Sequence, residues 1–300
     1  MNNTQRSAFV AIVGKPNVGK SSLLNKIMGE KIAIVTNKPQ TTRTKITGVL
    51  TKDNTQFVFI DTPGFHKAKT KLSNSMINAV NTSIKDVEIV LLVVEPEGKL
   101  TEAELALIEN ISNQKIPAIL VINKIDLLAE KSMVAKRIAQ VTALCDFAAV
   151  VPISVKNDDG IEIVLKELDN RAVEGTHFFP DDTLTDQPER VIVAEIIREK
   201  LLINLQQEIP HGTAVVIEKM KERTGKGIID IDAMIYCEKN SHKGMIIGKN
   251  GTVLKRIAST AREDIEKFLD IKVNLQCWIK VREDWRNKEG LIRNFGLSDK

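Results

Sequence analysis

Apolar residues along this chain gather into short runs separated by polar stretches, and the runs change character past the middle. Phe9–Val13, Phe57–Ile60, Val87–Val94, Ala118–Ile122 and Phe147–Ile153 are brief and rich in β-branched residues. Runs of that kind, without polar alternation, predict strands buried on both faces, as in a parallel sheet. Between them, apolar positions recur at helical spacing. Ser22–Met28 follows the first run, and Thr101–Ile111 carries Leu105, Leu107, Ile108 and Ile111 on one side. Strand alternating with helix predicts an α/β domain with a mostly parallel sheet and helices on both faces, over residues 1–174.

The pattern then stops. Gly175–Pro188 is rich in turn formers and acids, which predicts a linker over 175–189. Beyond it the periodicity predicts a helix over Arg190–Leu205, strands over Thr213–Met220 and Ile228–Cys237, a helix over Thr252–Leu269 and a strand over Lys272–Val281. That order describes a separate α+β domain over 190–300, in keeping with a length of 300 residues.

The chemistry begins after the first strand. Gly14-Lys15-Pro16-Asn17-Val18-Gly19-Lys20-Ser21 matches G-x-x-x-x-G-K-[ST], between a strand and a helix, which is the context a phosphate-binding loop needs. Its glycines let backbone N–H groups turn inward at a helix N-terminus, where the helix dipole favours negative charge. Lys20 supplies a point charge to the outer phosphates, the Ser21 hydroxyl is a Mg2+ ligand, and Ser22 joins the phosphate-lining set.

A phosphate loop does not choose the base. Asn123-Lys124-Ile125-Asp126 follows another buried strand. A carboxylate at Asp126 can accept from both the ring imino N–H and the exocyclic amino group of guanine, whereas adenine would leave it partly unpaired. Asn123 braces this site and the Lys124 stem covers the base face. The expected substrate is GTP, and the product GDP.

Phe57–Ile60 ends in Asp61-Thr62-Pro63-Gly64, with Asp61 placed to hold Mg2+ and the Gly64 N–H to meet the γ-phosphate. Gln40-Thr41-Thr42-Arg43 lies in a polar stretch from which Thr42, with Thr41 as the alternative, completes the metal shell when the γ-phosphate is present. Two loops tied to one phosphate predict a switch. Lys20, Thr42, Asp61 and Gly64 are the expected catalytic set. Phe65 stands where Ras-like GTPases carry a water-orienting glutamine, so hydrolysis is expected to be slow. His66 is a weak candidate base on a polar loop.

In the C-terminal domain, Met245-Ile246-Ile247-Gly248-Lys249-Asn250-Gly251 contains a G-x-x-G step between helical segments, as in the loop with which KH domains clamp a nucleic-acid backbone. Lys249 adds charge at the contact, Lys243, Lys255 and Arg256 lie nearby, and bases are expected to rest against Ile246 and Ile247. Trp278, Trp285 and Phe295 are expected to pack the last strand and tail onto the domain.

The set Gly14–Ser21, Thr41-Thr42-Arg43, Asp61–Gly64 and Asn123–Asp126 resembles the translation-factor-related bacterial GTPases with a hydrophobic residue after the DxxG glycine. Joined to a KH-like domain, and with Glu195-Ile196-Ile197-Arg198-Glu199-Lys200-Leu201 opening that domain, it resembles the Era-type ribosome-assembly GTPases over nearly the whole chain. The resemblance implies a type II KH arrangement and K+ beside the phosphates at Asn17. It also implies base contacts from Ser154, Val155 and Lys156, where valine replaces the usual alanine. The implied partner is the maturing small ribosomal subunit, bound near the 3′ end of its RNA, with peripheral contact at the inner face of the cell membrane.

Composition alters this picture little. Residues 190–300 hold 21 Lys+Arg against 16 Asp+Glu, or +5, and the remaining 22 against 23 give −1, so the C-terminal domain is the basic part of the +4 chain, which suggests a polyanionic partner. The 3 cysteines, Cys145, Cys237 and Cys277, are scattered, which argues against a disulfide frame or a zinc site and for buried small hydrophobes. The N-terminus shows no secretion leader and no apolar stretch approaches the ~20 residues of a membrane span, so a cytoplasmic protein is expected, and a monomer is the expected state. Two rival functions remain: an RNA-binding assembly factor with incidental GTP hydrolysis, and a membrane-directed regulatory GTPase.

Overall fold

The computed structural model describes residues 4–38, 40–65, 70–130 and 132–298. They form two compact units. The first comprises Met1–Ala33, Thr42–Lys69 and Ser73–Asp186, the second Ile34–Thr41, Thr70–Leu72 and Gln187–Lys300. His66 lies outside the described residues.

In the first unit β1 (Arg6–Val13), α1 (Lys20–Met28), β2 (Ile46–Lys52), β3 (Thr55–Asp61), α2 (Lys71–Lys85) and β4 (Ile89–Val94) follow in order. Then come α3 (Glu102–Gln114), β5 (Ala118–Ile122), α4 (Ser132–Thr142), β6 (Ala149–Pro152), α5 (Ile161–Asp169) and β7 (Val173–Glu174). The sheet runs β2-β3-β1-β4-β5-β6, with β7 antiparallel to β1. Pairings from β3 through β6 are parallel and β2–β3 is antiparallel. Successive β4 residues serve opposite faces. Ile89, Leu91 and Val93 join α1 and α5 side chains such as Leu24 and Val164; Val90, Leu92 and Val94 join Ile84, Leu107 and Val141 from α2, α3 and α4. Burial on both faces is why these strands read as continuous apolar runs. β1 lies between β3 and β4, so the chain order reverses there and opens a crevice at the strands' carboxyl ends, where ligands bind in such sheets.

Two local readings need revision, and one strand has no counterpart in the sequence reading. Leu105 is 42% exposed; the fourth inward position on α3 belongs to Glu104, whose carboxylate closes a capping box with Thr101. β2 lies in a segment without alternation and is fixed by its pairing with β3, turning at Asp53, whose φ is 53°. Residues 175–186 lie against the first unit. The Val49 N–H donates to Leu184 O at 2.9 Å, the Thr185 hydroxyl to Thr47 O at 2.6 Å, and Phe178 and Phe179 N–H groups to Gln56 Oε1 at 2.7 and 3.0 Å. This strap gives partners to the open edge of β2, which would otherwise expose unpaired backbone.

The second unit contains α6 (Glu189–Asn204), β8 (Ala214–Glu222), β9 (Ile228–Cys237), α7 (Asn240–Ile247), α8 (Thr252–Leu269), β10 (Lys272–Val281) and α9 (Glu289–Asn294). Its sheet runs β10-β9-β8, with β10 parallel and β8 antiparallel to β9. Ile231, Ala233, Ile235 and Cys237 of β9 pack with Ile197 and Leu201 of α6 and with Ile257, Ala261 and Ile265 of α8. This is a type II KH arrangement. Trp285 is buried, donates from Nε1 to Gly212 O at 2.9 Å and meets Phe295 edge-on. Trp278, by contrast, is 56% exposed, because its position on β10 points away from the helices. Among the described residues no helix is long and apolar enough to cross a membrane.

Candidate functional site

The phosphate loop leaves the carboxyl end of β1 and enters α1. Gly19 caps α1 with φ 102° and no side-chain bond, leaving the first helical amides to the loop's interior. A Cβ at Gly19 would sit 2.2 Å from Asn123 Nδ2, so only glycine lets the phosphate loop and the base loop meet. Lys20 is buried and donates to Gly14 O at 3.1 Å and Lys15 O at 3.0 Å. Burial lowers its pKa to about 8, and Asp61 acts in the opposite sense.

Ser21, Thr42 and Asp61 converge. Ser21 Oγ donates to Asp61 Oδ2 at 2.5 Å and lies 2.9 Å from Thr42 Oγ1. The hydroxyl of Thr41 is engaged elsewhere, with Thr36 and Lys38. Asp61 is fully buried, and its Oδ1 has no hydrogen-bond partner. Burial pushes its carboxyl up to about 6, against the pull of Lys20 and Ser21. An orphaned buried carboxylate oxygen between two hydroxyls is a hard oxygen set that fits Mg2+ or its bound water.

The run after β3 is stitched to β1. Thr62 donates from its hydroxyl to Ile12 O at 2.8 Å, and Phe65 N–H donates to Gly14 O at 3.1 Å. A Cβ on Gly64 would lie 2.7 Å from Pro16. The Phe65 ring packs against the α2–α4 side of the core.

The base loop is bonded to the phosphate loop. Asn123, 3% exposed, donates from Nδ2 to Val18 O at 2.7 Å and accepts from Val155 N–H at 3.2 Å. Lys124 adopts φ 67° and donates to Asn17 O at 2.6 Å. Asp126 Oδ1 accepts from the Ser154 hydroxyl at 2.7 Å, which fixes the carboxylate's rotation. Ser154 thus braces Asp126, a role that residue type alone does not reveal. Glu95, just past β4, bonds both Lys15 and Lys124 and also escapes sequence reading. Its only signal is a charge ending a wholly apolar strand.

In the second unit Gly248 (φ 72°), Lys249, Asn250 (φ 53°) and Gly251 (φ 76°) turn between α7 and α8. A Cβ on Gly248 would lie 2.4 Å from Val253. Lys249, Asn250, Lys255 and Arg256 are exposed, and Lys243 is half-buried. Positive φ and outward side chains suit a close backbone approach to phosphates. Ile246 corrects the sequence reading: it is fully buried in the domain core, so its side chain is not available to a base, while Ile247 is half-buried.

Comparison with known proteins agrees with both units. A family described as 50S ribosome-binding GTPase matches residues 9–124, and a KH domain family matches residues 208–286. The chain is 50% identical over 295 residues to GTPase Era of Clostridioides difficile, covering 98% of this chain and 99% of that one. It is 48% identical over 291 residues to GTPase Era of Ruminiclostridium cellulolyticum, covering 97% of each. Among solved structures it resembles an alanine variant of Aquifex aeolicus Era bound to GDP and aluminium fluoride, with TM-score 0.94 and 34% identity over 98% of this chain and 100% of that one. It also resembles Era in complex with MgGDPNP and nucleotides 1506–1542 of 16S ribosomal RNA, with TM-score 0.95, 34% identity and the same coverage.

Proposed function

The chain belongs to the Era family of GTPases, and from that premise we propose that it is a GTP-hydrolysing switch that binds small-subunit ribosomal RNA near its 3′ end during maturation of that subunit. The observation that carries the RNA reading is the Gly248–Gly251 turn, with positive φ at Gly248, Asn250 and Gly251 and with Lys249 and Asn250 exposed. A relative of the same fold is described in complex with MgGDPNP and nucleotides 1506–1542 of 16S ribosomal RNA, which supports the assignment.

In this reading Lys20 neutralises charge on the outer phosphates, while Gly14–Ser22 line them. Ser21, Thr42 and Asp61 hold Mg2+, which supplies charge neutralisation between the β- and γ-phosphates. Asn123, Lys124 and Asp126, with Ser154, Val155 and Lys156 behind them, hold the guanine. Asn17 would hold K+ beside the phosphates, where the ion would add positive charge. The Phe65 side chain offers no hydrogen-bonding group to a water, so the glutamine mechanism is unavailable and the intrinsic rate is slow. Ile247, Lys243, Lys249, Asn250, Lys255 and Arg256 hold RNA. The chain acts as a monomer in the cytoplasm.

Single-turnover GTP hydrolysis with and without an RNA of the 16S 3′ end tests this, alongside RNA affinity in the GTP and GDP states. The expected results are stimulation by RNA and tighter RNA binding with GTP. No stimulation, with equal affinities, favours the alternative of an RNA-binding factor whose hydrolysis is incidental.

A further inference from the structure

Glu95 is the first residue beyond β4, and β4 lies between β1 and β5 in the sheet. The phosphate loop follows β1 and the base loop follows β5, so Glu95 emerges between the two loops that grip opposite ends of a nucleotide. Its carboxylate is divided between them. Oε2 lies 2.8 Å from Lys15 Nζ, and Oε1 accepts from Lys124 Nζ at 2.7 Å. The same Lys124 ammonium also donates to Asn17 O in the phosphate loop. Glu104 Oε1, buried and without a hydrogen-bond partner, stands 3.8 Å from Lys15 on its other side and adds to the pull on that ammonium. Burial alone would raise the Glu95 pKa; the bonds from Lys124 and Lys15 more than reverse this and leave it below the ordinary carboxylate range.

We propose that Glu95 is a positioning residue for guanine-nucleotide binding: one carboxylate, bonded to Lys15 and Lys124, sets the spacing between the phosphate loop and the base loop. Several observations on the page bear on it. The two lysines carry like charges and would repel without an acid between them. Lys124 has φ 67°, a strained backbone for a lysine, and a bonded ammonium keeps its stem in place. Gly19 and Asn123 already bring the loops into contact at the back of the site, and Glu95 ties them at the front. With Lys15 engaged by Glu95 and Glu104, its contribution to phosphate binding is the loop backbone, and Lys20 carries the phosphate charge.

The inference rests on the guanine-nucleotide reading and deepens it. Lys15, Glu95 and Lys124 side chains are 20%, 29% and 31% exposed, so solvent screening limits their strength. The effect of losing the charge is set accordingly at about tenfold in affinity, the low end for charge-assisted hydrogen bonds. The test is calorimetric titration of the full chain with GDP and with a non-hydrolysable GTP analogue in Mg2+, plus stopped-flow GDP release. The proteins are wild type, Glu95→Gln, Glu95→Asp, Lys124→Met and the double variant Glu95→Gln/Lys124→Met.

Glu95→Gln should weaken both nucleotides about tenfold and to the same degree, because the γ-phosphate is remote from this residue. Glu95→Asp, which keeps the charge, should recover part of the loss. The loss from Glu95→Gln should shrink in the Lys124→Met background, because half of its connection is already gone; a carboxylate acting independently of Lys124 would give additive losses. If Glu95→Gln does not fold, the Glu95→Asp and Lys124→Met pair carries the same non-additivity test. Affinity within twofold of wild type for Glu95→Gln, or additive losses in the cycle, overturns the proposal. A wild-type protein that bound no GDP would sink the nucleotide reading as well, so the two failures are distinct.

Discussion

Replacing Asn123 by alanine breaks the seam between the phosphate and base loops at its most buried point. The side chain is 3% exposed and makes two loop-to-loop bonds, to Val18 O at 2.7 Å and from Val155 N–H at 3.2 Å. Alanine removes both. The half-buried Val155 amide can turn to water, but Val18 is fully buried and its carbonyl loses a partner. One neutral hydrogen bond contributes ~1 kcal/mol and an orphaned buried acceptor costs ~1–3 kcal/mol, so the seam loses ~2–4 kcal/mol. The nucleotide-free loops relax apart and absorb part of this, and binding must pull them together again. We therefore expect Asn123→Ala to weaken GDP binding by about 30-fold or more, the equivalent of ~2 kcal/mol. Asn123→Asp sharpens the argument. It keeps the volume and the acceptor facing Val155, but turns a carboxylate oxygen toward the Val18 carbonyl. It should therefore bind GDP no better than the alanine variant. Calorimetry with Mg2+ measures both, and urea unfolding of the nucleotide-free proteins separates global stability from loop geometry. Binding within threefold of wild type for Asn123→Ala, or a milder effect for Asn123→Asp, would refute the bonding argument in favour of simple packing.

Removing Mg2+ with a chelator, or substituting Ser21→Ala, should speed GDP release by at least about tenfold, the loss of one charge-assisted contact or more; stopped-flow release reads this directly. The pair Lys249→Asp and Asn250→Asp should weaken binding of a 16S 3′-end RNA by more than about tenfold at ~0.15 M salt, through repulsion at the backbone, while RNA-free GTP hydrolysis stays at the wild-type rate. An unchanged gel shift removes the clamp assignment. Burial raises the pKa values of Cys145, Cys237 and Cys277, the last to about 12. At pH 8 all three stay protonated, so alkylation by iodoacetamide should be much slower in the native protein than in urea; equal rates would contradict the burial.

The apolar runs made the parallel strands legible because both faces of that sheet are covered, and length alone separates such runs from helices. β9, α8 and β10 follow the predicted bounds because their alternation and amphipathic spacing are strong. The strap over residues 175–186 was unreadable, since its turn formers describe local freedom and say nothing of the open β2 edge that it covers. Periodicity likewise could not show that Glu104 rather than Leu105 points inward, because the capping box decides it. In the site, spacing singled out Asp61, Asn123 and Asp126 as candidates. It could not reveal Ser154 bracing Asp126, or Glu95 joining two lysines, since both depend on which strands are neighbours. Ile246 and Trp278 reversed their expected roles for one reason. Helix α7 and strand β10 each present two faces, and the sequence does not say which of them meets the core.

The central claim is that Asp126, braced by Ser154, reads guanine while the Gly14–Ser21 loop holds the phosphates. The most direct test is calorimetric titration of the full chain with GDP and with ADP in Mg2+, repeated on Asp126→Asn. The account predicts tight GDP binding, ADP binding at least about a thousandfold weaker because a polar carboxylate is left unpaired, and loss of that preference in Asp126→Asn. Equal affinity of the wild-type protein for GDP and ADP would contradict it.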